Sequence, residues 1–189
     1  GIENQDKSII LVITESEPRR DELRDFDIEM IDSYGVYNIV KVNQQELDML
    51  EKNGYRTDLL KERNIVHING CKYNIHKDLN RYKIKNYDET HKDDDGLFIV
   101  HMIGPINPDW RKKLGKNGIE ILNYIPNYAY IVNIDYDDLE NVKKLYFVDE
   151  IFHYDSSFKM DKNIKTDMIS INFIKDSNDI PDLKNRKIK

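Results

Sequence analysis

One cysteine, Cys71, stands in the whole chain, so no disulfide can close within it and the residue reads as a small buried hydrophobe. No apolar run approaches the roughly 18 residues that span a membrane as a helix, and no secretory leader is visible. Positive charge is also short. Lys and Arg number 29 against 35 Asp and Glu, a formal net charge of −6, which excludes nucleic acid as a partner because phosphate contacts need a basic surface. The histidines (His67, His76, His91, His101 and His153) are not paired at metal-ligand spacing. No glycine-rich phosphate loop follows an apolar run, and no Gly-x-Ser-x-Gly elbow occurs. The acidic run Asp93-Asp94-Asp95-Gly96 fails as a calcium loop. With Gly96 in sixth place, the first and twelfth positions fall on His91 and Met102 rather than Asp and Glu. These absences leave no catalytic set, no cofactor and no metal to assign.

What the chain does have is a pattern. Leu97–Ile103 is apolar and gives way to Gly104-Pro105. Asn107-Pro108 then opens a helix that Gly118 closes. Two apolar runs, Ile119–Ile125 and Ala129–Ile134, flank Pro126-Asn127. A second helix after Asp135, with Leu139, Val142 and Leu145 as its inward stripe, precedes a strand near Val148–Tyr154. The order is β-α-β-β-α-β. An echo lies upstream: Ile28-Glu29-Met30-Ile31-Asp32 reads like Ile119-Glu120-Ile121-Leu122-Asn123, 91 residues on (119 − 28). Tyr37–Val42 likewise matches Ala129–Ile134. The spacing predicts an α+β protein of two tandem ferredoxin-like domains.

Taken in order, residues 1–75 form the first domain. Ile9–Ile13 is a strand, Ser16 caps a helix carrying Leu23 and Phe26 inward, and a hairpin turns at Gly35. Asn43 and Glu46 make a capping box. Thr57–Arg63 is the fourth strand, and an inserted hairpin turns at Gly70-Cys71. Residues 76–96 are a solvated linker, and residues 97–160 the second domain, with Trp110 and Leu114 as core anchors at i,i+4. Residues 161–189 form an extension in which Met168–Ile174 reads as a strand and Pro181–Leu183 as a helix start. The chain therefore reads as part of a longer polypeptide.

Phe98-Ile99-Val100-His101-Met102, Gly104-Pro105-Ile106, Trp110, Leu114, Gly118–Leu122 and Tyr124–Val132 follow one another in the order and spacing of a known motif series. They resemble the N-terminal prosegment of secreted prokaryotic subtilisin-like serine proteases, whose pattern runs Tyr-Ile-Val, Gly-Pro-Ile, Trp, Leu, Gly, Tyr-Ile-Pro, Ala-Tyr-Ile-Val. The likeness covers Leu97–Met160 well and Ile9–Ile75 more weakly. It implies a noncatalytic intramolecular chaperone and inhibitor, secreted or at the cell surface, whose partner is the protease catalytic domain of the same precursor. The chain is not itself the protease: Asp32-Ser33, Asp155-Ser156 and Asp176-Ser177 each lack the glycine of the catalytic Asp motif. If helices cover one sheet face, Phe98, Val100, Met102, Tyr130, Val132 and Ile134 point inward. Ile99, His101, Glu120, Leu122, Tyr124, Ile131 and Asn133 then form an open face for a partner. A free-standing inhibitor, an adhesion module and a ligand-binding regulatory module are the alternative readings.

Overall fold

The computed structural model describes residues 8–14, 16–84 and 96–159. The protein is α+β, with antiparallel sheets and few helices. Strands β1 (Ser8–Ile13), β2 (Glu29–Ser33), β3 (Tyr37–Val42) and β4 (Arg56–Leu59) make one sheet in the order β2-β3-β1-β4, all neighbours antiparallel. Helix α1 (Glu17–Arg24) joins β1 to β2, and α2 (Gln44–Lys52) joins β3 to β4. The Asn43 side chain accepts from the Glu46 N–H while Glu46 accepts from the Asn43 N–H, so the expected capping box is present. Ser16 makes no such bond.

Strands β5 (Ile65–Ile68) and β6 (Cys71–Asn74) form a hairpin. It turns one residue earlier than expected, at Asn69-Gly70, because both adopt positive φ (47° and 78°), as a two-residue turn between right-twisted strands requires. Strands β7 (Leu97–Met102), β8 (Glu120–Ile125), β9 (Ala129–Asn133) and β10 (Val148–His153) make a second sheet, ordered β10-β7-β9-β8 and again antiparallel. Helix α3 (Pro108–Lys116) follows β7, and α4 (Leu139–Lys143) follows β9. Strand order and sense thus repeat between the two units. So does a finer detail. The β2–β3 register slips between Met30 and Asp32, and the β8–β9 register between Ile121 and Asn123, 91 residues later in both cases. A bulge with Ile31 or Leu122 at its centre is built into each copy.

Each sheet is covered on both faces. Helices α1 and α2 seal the inner face of the first over Ile10, Val12, Leu23, Val40 and Leu50. Helices α3 and α4 seal the second, where Trp110 and Leu114 are buried as expected and the indole stacks on Phe147 at 5.1 Å. The outer face of the first sheet packs against the second unit. A Cβ on Gly104 would lie 2.9 Å from Ile39 Cδ1 and 3.5 Å from Leu60 Cδ1, so only glycine lets the Gly104-Pro105 loop come this close. The outer face of the second sheet is covered by the β5–β6 hairpin, with Val66, Ile68, Ile75 and Leu79 over Ile99, Ala129 and Phe152.

Several boundaries shift. The fourth strand stops at Leu59, and the chain then turns through Lys61–Asn64 into the hairpin. The stretch read as linker begins inside the core: Leu79 and Ile84 are buried, and Lys83 bridges to Phe152. Cys71 is only half-buried. Asp135 makes no side-chain cap, and a single 3-10 turn, Tyr136–Asp138, leads into α4 instead. The Asp93–Asp95 run, the strand at Met168–Ile174 and the helix start at Pro181–Leu183 lie outside the described residues.

Candidate docking site on the second unit

The expected open face does not remain open. Ile99 and His101 are 0% exposed. Ile131 is half-buried in the same cluster, because the hairpin lies over this side of the sheet. His101 is tied down as well. Its Nε2 donates to the Arg63 carbonyl at 2.9 Å, and its Nδ1 lies 3.0 Å from the Asp149 carboxylate, which also takes both arms of the Arg63 guanidinium (3.1 and 3.3 Å). Burial raises the Asp149 pKa, but the His101 hydrogen bond and the Arg63 charge outweigh it and hold the carboxyl below its ordinary range. This cluster fastens the hairpin entry to the second sheet. Glu120 and Asn133 stay exposed at the sheet's end, linked at 3.4 Å.

Leu122 and Tyr124 behave differently. Both are 49% exposed. The Leu122 bulge changes the alternation, so Tyr124 pairs with Tyr130 and stands on the helix side of the sheet, not the outer side. Strand β8 is the end strand of its sheet among the described residues, and none of these pairs with its outer edge. On the helix side of the sheet, between α3 and the β8–β9 hairpin, runs a surface groove of about 780 Å³. The loop before α3 supplies Pro105 and Ile106, α3 supplies Pro108, Arg111 and Lys112, and the β8–β9 hairpin supplies Tyr124, Tyr128 and Tyr130.

The turn that presents Tyr128 is strained. Asn127 and Tyr128 take φ of 67° and 72°, a region that a bulky side chain rarely enters. It is pinned from two sides: the Asn127 amide donates to the Ile65 carbonyl at 2.7 Å, and the Tyr128 carbonyl accepts from Met102 N–H at 2.7 Å. Strain held in place by its surroundings is a pointer to function. Tyr124 and Tyr130 meet edge to face at 5.7 Å. Burial raises the phenol pKa of both Tyr128 and Tyr130, with Arg111 opposing it at Tyr130. The phenols are therefore neutral donors at ordinary pH. Arg111 makes no hydrogen bond or ion pair among the described residues, whereas Lys112 shares its charge with Asp109 at 3.0 Å.

Sequence reasoning placed Leu122 and Tyr124 among the partner-facing residues but missed Arg111, Lys112, Tyr128 and Tyr130. Adjacent cations on the outward turn of a Pro-started helix and the Tyr-x-x-x-Tyr-x-Tyr spacing were the available signals. Among the described residues, no group of three His, Cys, Asp or Glu is placed to hold a metal, and no helix is long and apolar enough to cross a membrane.

Comparison with known proteins adds one match. A family described as a domain of unknown function, DUF8729, matches residues 59–155, just over half of the chain. Its span starts at the end of β4 and takes in the β5–β6 hairpin with the sheet that the hairpin covers. No curated protein and no solved structure matches the chain.

Proposed function

The chain belongs to the DUF8729 family, a domain of unknown function, and from its sequence and surface we propose that it is a noncatalytic docking module, the prosegment of a subtilisin-like serine protease. In this reading it is two tandem ferredoxin-like units, secreted or at the cell surface with its precursor. It chaperones and inhibits the protease domain. Support comes from the repeated strand order with a helix after the first and third strands of each unit. The run from Leu97 to Val132 that resembles prosegments adds to it.

The observation that carries the docking role is the pair Leu122 and Tyr124, large apolar side chains half exposed on the end strand of the sheet among the described residues. The docking surface is then the β8 edge and its groove, not the outer sheet face that the hairpin occupies. Binding there during folding of the protease would lower its folding barrier, and the same contacts retained afterwards would inhibit it.

The test is inhibition of a subtilisin-like catalytic domain by the chain and by Leu122→Asp, with circular dichroism as the folding control. A charge at this exposed position leaves the fold intact and weakens inhibition, because an unpaired charge buried at an interface is costly. No inhibition by the folded chain at micromolar concentration overturns the protease reading.

A further inference from the structure

We propose that the groove beside β8 receives an extended acidic polypeptide segment, added as a fifth strand to the second sheet. The inference rests on the reading of this edge as a docking surface, but it does not require the partner to be a protease.

Among the described residues strand β8 is hydrogen-bonded to β9 alone, so its other side presents N–H and C=O groups in strand spacing. An extended segment satisfies these groups by pairing with them. The bulge interrupts the ladder at Leu122. The incoming strand would therefore pair along Asn123–Ile125, with Leu122 as an apolar contact beside it.

The chain carries a net charge of −6, yet the charged side chains lining this groove are Arg111 and Lys112. Arg111 has no counter-charge among the described residues. The Tyr128 and Tyr130 phenols, their pKa raised by burial, are neutral and can donate to a carboxylate rather than repel it. In a paired strand alternate side chains fall on the helix side, the side of Tyr124 and Arg111. Carboxylates at every second position would meet the cations there, and lysines would be repelled. Pro105 and Pro108 add rigid apolar wall that costs little entropy to hold in place.

The test is calorimetric titration of the chain with an acetylated, amidated peptide of four Val-Glu repeats, its Val-Lys counterpart, and the Val-Glu peptide N-methylated at alternate amides. The acidic peptide should bind about tenfold or more tighter than the basic one, and N-methylation should abolish binding. The double variant Arg111→Glu with Lys112→Glu, both on the exposed face of α3, should reverse the preference. Hydrogen exchange should slow at the Asn123–Ile125 amides on binding. Absence of binding, equal affinity for the two peptides, or binding that survives N-methylation overturns the proposal. Peptide binding without protease inhibition upholds it while removing the protease as partner. Inhibition without peptide binding does the opposite.

Discussion

Trp110 donates its indole N–H to the carboxylate of Asp32 at 2.5 Å, across the seam between the two units and 78 residues along the chain. Asn107 and Tyr146 reach the same carboxylate, at 3.4 and 3.3 Å. Tyr34, two residues beyond Asp32, donates its hydroxyl to the Pro105 carbonyl, and burial first and Asp32 second push its phenol pKa up. The seam is thus apolar in bulk and fixed in register by two acceptors, the Asp32 carboxylate and the Pro105 carbonyl. Asp32→Ala should destabilise the protein by about 1–3 kcal/mol, since it removes the charged acceptor and leaves the buried Trp110 N–H only the longer contact to the Tyr146 hydroxyl at 3.2 Å. Urea denaturation followed by circular dichroism measures this. A cycle with Trp110→Phe should show strong coupling, because that variant removes the donor. Additive effects would show that the bond contributes nothing.

Trp110→Ala removes a fully buried ring stacked on Phe147 and should cost about 3–5 kcal/mol. A thermal melt that moves no further than that of an exposed-site variant such as Lys112→Ala would contradict the core role.

Gly104→Ala places a methyl group 2.9 Å from Ile39 Cδ1. Ile39 is buried and has little room to yield, so the variant should lose about 1–3 kcal/mol through overpacking. Ile39→Val deletes the opposing methyl and should recover much of that loss in the double variant. A double variant as unstable as the sum of the two singles would place the strain elsewhere.

Acid should weaken the hairpin attachment. Asp149 has a folded-state pKa below the ordinary carboxylate value of about 3.9. Through that window the unfolded chain holds the proton and the folded chain does not. The contribution is therefore complete above about pH 4 and is lost as pH falls through the depressed folded value. Asp149→Asn should flatten this part of the stability profile, measured by urea midpoints between neutral and strongly acid pH. An unchanged acid limb would show that Arg63 and His101 do not favour the ionised form.

Ile68→Ala should cost about 2–5 kcal/mol, since Ile68 is buried where the hairpin meets the second sheet. The loss should be accompanied by increased binding of a hydrophobic dye as the outer face loosens. A cost within the range of a surface substitution would mean that the hairpin merely rests on the sheet.

The repeated order of strands and helices was legible because local apolar runs, Asn43-x-x-Glu46 and Asn107-Pro108 act through neighbours in the chain. The echo between Met30 and Ile121 even marked where both copies slip register, although a bulge could not be told from regular alternation. That one extra residue is why Tyr124 lies on the helix side. Which face is covered was not legible either. Val66 and Ile68 alternate as a strand should, but nothing in that alternation says that their partners are Ile99 and Phe152. The partnership of Asp32 with Trp110 had no sequence signal, since a carboxylate in a strand with a solvent-facing pattern reads as surface. The groove was half legible: Leu122 and Tyr124 stood out, while Arg111 and Lys112 looked like ordinary solvated helix charges.

The seam has a spectroscopic consequence. Trp110 is the chain's one tryptophan, and its indole sits between Phe147 on its face and the Asp32 carboxylate at its N–H. Intrinsic tryptophan emission therefore reports a single place, the junction of the units, and neither sheet by itself. A shift in emission wavelength without loss of far-ultraviolet circular dichroism reads out parting of the halves, and quenching by iodide reads out the entry of solvent between them.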